Sequence, residues 1–253
     1  MEGCAPNGDH RTARAGSPEE GSELLRVQET GDGSGTLFTP RYAQTFHSLH
    51  GAVTESRHVF LEGSGVAERL RQGEAVKVLE VGFGTGLNFL LTAQAASTGS
   101  GTLHYVALER QLVPVALLAR LDYARFAPAA FAALLEFRRR LAPGTQAGTH
   151  RSRVAGSLLE LRLGEAQEAR LGKAEFDAIY HDGFSPDTNP ELWDESFLSR
   201  LAAALAPGGT LVSYTVKGVV RRQLAAAGLE VTKLAGPPGG KKEMLRAVRR
   251  GPA

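Results

Sequence analysis

From residue 76 onward, short apolar runs alternate with longer stretches in which apolar residues recur every three or four positions. Runs of the first kind predict strands over 76–79, 104–108, 160–163, 176–180 and 210–215, with later ones near 229–234 and 243–248. The second kind predicts helices over 88–96, within 114–141 (one or two of them), after Asn189-Pro190, and over 219–227. The helix after Asn189-Pro190 has a polar cap, a proline in its first turn and the apolar stripe Phe197, Leu198, Leu201 and Leu205, and it is expected to stop at Pro207-Gly208-Gly209. Gly228 closes the last one. Strands that alternate with helices in this way belong to a mostly parallel sheet covered on both faces, so the expected class is α/β.

The pattern also divides the chain. Residues 1–35 are rich in Gly, Ser, Glu and Arg without apolar periodicity and read as a disordered leader on which function does not depend. Residues 36–75, with the aromatics Phe38, Tyr42, Phe46 and Phe60 and a helix-like end at 65–71, read as a segment that docks on the sheet. The main domain is then 76–250, and 142–156 reads as an ordinary loop inside it. No internal repeat is visible.

Composition narrows the class. A chain of 253 residues with 42% hydrophobic content buries one sizeable core. No apolar stretch is long enough to span a bilayer and no secretory signal opens the chain, so a soluble cytoplasmic protein without a membrane partner is expected. Cys4 is the one cysteine, which excludes a disulfide framework or a thiolate metal cluster. His47 and His50 lack a third ligand nearby, so no metal is expected. Net charge is only +2, but residues 217–250 hold nine basic residues (Lys217, Arg221, Arg222, Lys233, Lys241, Lys242, Arg246, Arg249 and Arg250) against Glu230 and Glu243. Such local excess suits a polyanion, and equally a solvated basic surface.

The run Glu80-Val81-Gly82-Phe83-Gly84-Thr85-Gly86-Leu87-Asn88 is a strand entering a glycine turn that opens a helix. Glycines there allow a tight turn and close approach of backbone amides to a ligand. No Gly-Lys-Ser/Thr follows, which excludes a P-loop, and the third glycine of a dinucleotide fingerprint would fall at Leu87. What remains suits S-adenosylmethionine, and with it a class I (Rossmann-like) methyltransferase fold, doubly wound, with a late antiparallel strand. Glu80, Gly82, Phe83, Gly84, Thr85, Gly86 and Asn88 form the candidate cofactor loop. Glu109, at the end of the second strand, is placed to accept ribose hydroxyls, and Glu165, after the third, to meet the adenine edge. Asp182 ends the fourth strand, facing the loop across the point where strand order reverses, and can orient an amine acceptor and take its proton. His181 is an alternative base, although strand alternation points it away. A nicotinamide oxidoreductase and an RNA-binding protein with a vestigial pocket remain competing readings, against which Leu87 and Asp182 respectively argue.

Over about 37–250 the chain resembles the family of tRNA 5-methylaminomethyl-2-thiouridine methyltransferases, both free-standing and as the N-terminal half of bifunctional proteins. The motifs are Glu55-Ser56-Arg57-His58-Val59-Phe60-Leu61-Glu62-Gly63, Gly82-Phe83-Gly84-Thr85-Gly86-Leu87-Asn88-Phe89-Leu90, Asp182-Gly183-Phe184-Ser185-Pro186, Asn189-Pro190-Glu191-Leu192-Trp193, Val220-Arg221-Arg222 and Gly240-Lys241-Lys242-Glu243-Met244-Leu245. The resemblance implies methyl transfer to the aminomethyl nitrogen of a wobble uridine, with Asp182 at the family's essential aspartate. It assigns Glu55, Arg57, Phe184, Trp193, Lys217, Arg221, Arg222, Lys241 and Lys242 to the substrate side, facing an anticodon stem-loop, with no obligate protein partner evident. Trp193 as plain core is an equal alternative, and a base stacked near Phe184, Trp193 or Tyr214 is expected. Two departures stand out: His181 replaces an apolar residue, and Glu165 stands where aspartate is commoner. The flavin-dependent half of bifunctional relatives is expected to be missing.

Overall fold

A computed structural model of the chain describes residues 25–142, 144–145 and 147–251. Its strands are β1 (Arg26–Glu29), β2 (Gly35–Thr39), β3 (Gln44–Thr45), β4 (Ala75–Val81), β5 (Thr102–Glu109), β6 (Gly148–Val154), β7 (Ser157–Leu163), β8 (Phe176–His181), β9 (Leu205–Ser213), β10 (Leu229–Ala235) and β11 (Glu243–Arg249). The helices are α1 (Ala52–Glu55), which runs on as the π-turn Ser56–Glu62, α2 (Val66–Arg71), α3 (Leu87–Thr98), α4 (Val115–Leu118), α5 (Pro128–Arg140), α6 (Glu195–Ala204) and α7 (Gly218–Ala226).

Eight strands form the main sheet in the order β10-β11-β9-β8-β4-β5-β7-β6. The five central ones are parallel, β11 joins β9 antiparallel, and β6 joins β7 antiparallel at the other edge. The central strands are apolar on both faces because helices cover both. On one face α3, α5 and the N-terminal helices bury Phe60, Phe89, Leu90, Leu134 and Tyr180, and on the other α6 and α7 bury Ile179, Phe197, Leu201 and Leu224. Each fully buried Leu or Phe of this kind contributes about 1.5–3 kcal/mol by leaving water. Strand order reverses between β4 and β8, where Val81 lies opposite His181, and ligands of such sheets bind beyond the strand ends at that point. Among the described residues no helix is long and apolar enough to cross a membrane.

Three expectations are corrected. Residues 1–24 of the expected leader lie outside the described residues, but 25–35 are not a structureless leader: β1, β2 and β3 form an antiparallel sheet of their own. Its Thr30–Ser34 turn caps α1 from a distance. Ala52, Val53 and Thr54 donate their amides to Thr30 Oγ1, Ser34 Oγ and Asp32 Oδ2 at 3.1, 3.2 and 2.8 Å, so the helix start is satisfied without a cap of its own. Burial raises the Asp32 carboxyl, and hydrogen bonds from Ser34 and Thr54 outweigh it, holding the group well below the usual carboxylate range. A second correction concerns 142–156, where β6 replaces most of the expected loop; its polar, alternating residues are those of an exposed edge. Finally, Asn189-Pro190 opens only a single 3₁₀ turn, and α6 is capped instead by Asp194, whose carboxylate accepts from the Phe197 amide at 2.7 Å. That helix ends at Ala204, before Pro207-Gly208-Gly209, which fall within β9.

Candidate active site

A cleft of about 670 Å³ runs along the carboxyl ends of β4, β5, β7 and β8, within the size range of small-molecule sites. Its floor is the loop between β4 and α3. Gly82 has φ +88°, and a Cβ there would lie 2.8 Å from the Asp182 carbonyl oxygen, so only glycine lets the loop meet the end of β8. At Gly84, φ +52°, a Cβ would lie 3.0 Å from the Phe46 ring. The Gly84 amide donates to Glu109 Oε2 at 2.9 Å and the Gln111 amide to Oε1 at 2.8 Å, which locks the Glu109 carboxylate at the mouth of the loop. Burial pushes its pKa up, and these amides oppose the rise. Carboxylate oxygens keep lone pairs beyond such bonds, so Glu109 can still accept hydroxyls from a ligand in the cleft. Glu165 lines the same end and pairs with Arg110 at 3.1 Å, both side chains half-exposed.

The loop set is thereby divided. Gly82, Phe83, Gly84 and Asn88 line the cleft, whereas Glu80, Thr85 and Gly86 do not. The Thr85 hydroxyl is buried 3.2 Å from the Tyr123 hydroxyl, which donates to the Gly35 carbonyl at 2.9 Å; this side chain ties the loop to the N-terminal sheet. Glu80 lies under the floor with 1% of its surface exposed, which corrects the expectation that its carboxylate meets the cofactor directly.

At the opposite end, Asp182 lines the cleft together with Glu55, Tyr214 and Lys241. One side chain joins two of the acids: Asn88 Nδ2 donates to Asp182 Oδ2 and to Glu80 Oε1, each at 2.8 Å. Burial, then the neighbouring Glu80 and Glu55, hold the Asp182 pKa far above the usual carboxylate range, with Asn88 and Lys241 opposing. Glu80 is pushed up to about 8, chiefly by burial. Glu55 also is raised by burial, although the Ser48 amide donates to it at 2.7 Å. The Lys241 ammonium sits 4.1 Å from the Tyr214 ring centroid, and burial lowers its pKa against the pull of Glu55 and Asp182. Above these groups Phe184 packs on Tyr42 and Phe46 at centroid distances of 4.7 and 5.4 Å, an aromatic wall carried by the docked N-terminal segment.

Other sequence candidates fall elsewhere. His181 is fully buried behind the sheet, stacked on Trp193 at 3.9 Å with Nε2 against the Leu192 carbonyl at 2.8 Å. Burial lowers its pKa to about 4, so it stays neutral near pH 7, and it does not line the cleft. Strand alternation places its side chain on the opposite face of β8 from Asp182. Trp193 is core; its indole donates to the Phe184 carbonyl at 2.8 Å and holds that loop from behind. Arg57 is exposed beside the Phe126 ring, Lys217 pairs with Asp187, and Arg222 and Lys242 are exposed, all outside the cleft wall, as is the half-buried Arg221. His47 bonds Thr36 within the N-terminal sheet. The sequence reading missed Gln44, whose amide donates to Ser185 and Thr188 at 3.2 and 2.7 Å, and the wall role of Tyr42 and Phe46. The four-residue spacing of those aromatics was a signal; nothing marks Gln44.

A family model described as S-adenosyl-L-methionine-dependent methyltransferase matches residues 129–250. Curated relatives include the tRNA 5-methylaminomethyl-2-thiouridine biosynthesis bifunctional protein MnmC of Cupriavidus metallidurans, 40% identical over 223 residues, 84% of this chain and 32% of that protein. The protein of the same name from Azoarcus sp. is 40% identical over 221 residues, 84% of this chain and 34% of that one. The chain thus spans about a third of the length of these relatives. Among solved structures, MNMC2 from Aquifex aeolicus superposes with a TM-score of 0.74 at 26% identity, covering 93% of this chain and 73% of that one. A spermidine synthase in complex with the transition state analogue AdoDATO shares the fold at TM-score 0.51 and 16% identity, covering 90% and 72%.

Proposed function

Since the chain belongs to the S-adenosyl-L-methionine-dependent methyltransferases, in the family of the MnmC methyltransferase domain, we propose that it methylates the aminomethyl nitrogen of 5-aminomethyl-2-thiouridine at the tRNA wobble position. The observation that carries this reading is Asp182, a carboxylate on the cleft wall beside the glycine loop, anchored through one oxygen in a cleft that Phe184, Tyr42, Phe46 and Tyr214 also line. The Gly82–Gly84 backbone and Glu109 would hold the cofactor: both glycines line the cleft without side chains, and the Glu109 carboxylate fixed at the loop mouth can accept its hydroxyls. When bound, S-adenosylmethionine supplies a methyl group whose carbon–sulfur bond breaks as the carbon–nitrogen bond forms, the electron pair staying on sulfur.

The chain's part is to deliver a neutral amine. Alkyl ammonium groups have pKa values near lysine's, about 10.4, and a protonated nitrogen has no lone pair to attack with. Asp182 accepts one proton from the ammonium, leaving a neutral amine and a carboxylic acid. Its raised pKa makes it a better base than an exposed aspartate. The aromatic wall offers ring faces for an unstacked base, and exclusion of water there strengthens the pairing of carboxylate and amine. The exposed Arg222 and Lys242, with Arg41 at the rim, give phosphate contacts for an anticodon stem-loop. A tRNA substrate fits cytoplasmic residence.

Incubation with labelled S-adenosylmethionine and tRNA bearing the aminomethyl nucleoside, followed by nucleoside mass spectrometry, tests the reading. One added methyl on that nucleoside is expected; S-adenosylhomocysteine binding without any transfer to tRNA would overturn it.

A further inference from the structure

The acid end of the cleft contains a bonded pair that the methyl transfer as described does not use. Asn88 has one amide nitrogen with two hydrogens, and it gives one to Asp182 and the other to Glu80. Both Asn88 and Glu80 are almost fully buried, and Asn88 lies in the first turn of α3 while Glu80 lies within β4, so neither moves freely. The Asn88 carbonyl oxygen is buried without a partner, as are Glu80 Oε2 and the Tyr105 hydroxyl. Turning the amide over would put its oxygen against two carboxyls, which is worse than leaving it alone unless both acids hold protons.

We propose that Asn88 and Glu80 are positioning residues for the acceptor: Asn88 fixes Asp182 with its second oxygen turned toward the amine, and Glu80, as an uncharged acid, fixes Asn88. This rests on the methyltransferase reading above and assigns both residues to the acceptor end, where they serve Asp182 in place of the cofactor.

Charge and burial support it. Two carboxylates bridged by one uncharged amide in a dry site repel, so one of them keeps a proton. Glu80 is the one: it lies under the floor away from the cleft, and burial raises its pKa against the Asn88 and Tyr105 side chains. Burial raises Asp182 as well, but it lies on the cleft wall, where the Lys241 ammonium and a bound ammonium acceptor favour its charged form, so it is the one that ionises when the acceptor is bound. The charged or titratable groups facing Asp182 are Glu80 from β4, Tyr105 from β5, Glu55 from α1, Tyr214 after β9 and Lys241 from the β10–β11 connection. Asn88 is an uncharged donor to it. Losing that donor raises the Asp182 pKa further and lets the carboxyl rotate.

The test reads Asp182 directly. Carboxyl carbons of the S-adenosylhomocysteine complex are titrated by ¹³C NMR, with Asp182→Asn identifying the signal, and kcat/KM is followed against pH. Asn88→Asp, nearly isosteric, is expected to move the Asp182 titration and the acid limb of kcat/KM up by about one pH unit or more, and both it and Glu80→Ala to lower turnover about tenfold to a hundredfold. S-adenosylhomocysteine affinity should stay within about threefold, a ratio worth roughly 0.6 kcal/mol. Glu80→Gln keeps an uncharged acceptor for Asn88 and should restore the parent titration. Thermal unfolding of each variant shows whether it is folded, and Asn88→Ser serves if Asn88→Asp is not. An unmoved titration in Asn88→Asp and Asn88→Ser, or a tenfold loss of cofactor affinity in Glu80→Gln, would overturn the proposal. Because the titration needs no acceptor, it judges the pair even where tRNA proves to be the wrong substrate.

Discussion

At the donor end of the cleft the facing groups are mainly the backbone of one short loop, Gly82 to Gly84, steadied by Glu109 from the neighbouring strand. At the acceptor end they are the side chains of Glu55, Asp182, Tyr214 and Lys241, drawn from four separate parts of the chain. The first end depends on backbone shape. Its tolerance is set by sterics, because a single Cβ at Gly82 collides with the end of β8. The second depends on protonation, because burial raises three neighbouring carboxyls and Lys241 offsets two of them. Damage at one end should therefore show as lost binding or lost stability, and at the other as lost turnover or altered pH dependence.

The largest effect expected is on turnover. Asp182→Asn keeps the shape and removes the base, so kcat should fall by about 10² to 10⁴, the usual range for a positioned general base, with S-adenosylhomocysteine affinity by calorimetry little changed. A loss of affinity with kcat intact would erase the division between the two ends. Next comes Gly82→Ala, which forces a Cβ into a left-handed conformation 2.8 Å from the Asp182 carbonyl oxygen. Stability should fall by about 1–3 kcal/mol in chemical denaturation, and cofactor affinity with it. Parent stability and affinity together would show that the loop is not held by that contact.

The pH dependence of the unliganded protein sharpens the acid end. Below about pH 4.5 both the folded and unfolded chains hold the Glu80 proton; above it the unfolded chain loses that proton while the folded one keeps it up to about pH 8. Stability from this group is therefore lost as pH rises through that window, by an amount on the order of a few kcal/mol. Asp182, shifted the same way, adds to the fall. Glu80→Gln should flatten the curve measured by denaturation at several pH values, and an unchanged slope would remove Glu80 as its source. Smallest is the outer surface: Arg222→Gln or Lys242→Gln should each lower the salt slope of tRNA binding by about one. Slopes equal to the parent's would take those residues out of the RNA contact.

Several elements were readable from local pattern, and several were misread for a shared reason. The parallel strands and the glycine turn follow from apolar runs and a required backbone shape, both of which are properties of neighbouring residues. The 30–34 turn reads as leader because its polar residues find their partners in α1, twenty or so positions on. The polar edge strand β6 reads as loop because its pairing, not its composition, makes it a strand. His181 and Asp182, adjacent in sequence, part onto opposite faces of the sheet, and only one reaches the cleft.

By itself the sequence determined the α/β class, the loop with its need for glycine, and the nomination of Asp182, since periodicity, φ and motif spacing are local quantities. Only the tertiary structure decided that Asn88 serves two acids, one of them 94 residues away, and that Lys241 stands in the cleft while its neighbour Lys242 lies outside. It also decided that Glu80 lies under the floor. Protonation and hydrogen-bond partnership depend on burial and on distances through space, and neither exists until the chain has closed around the site.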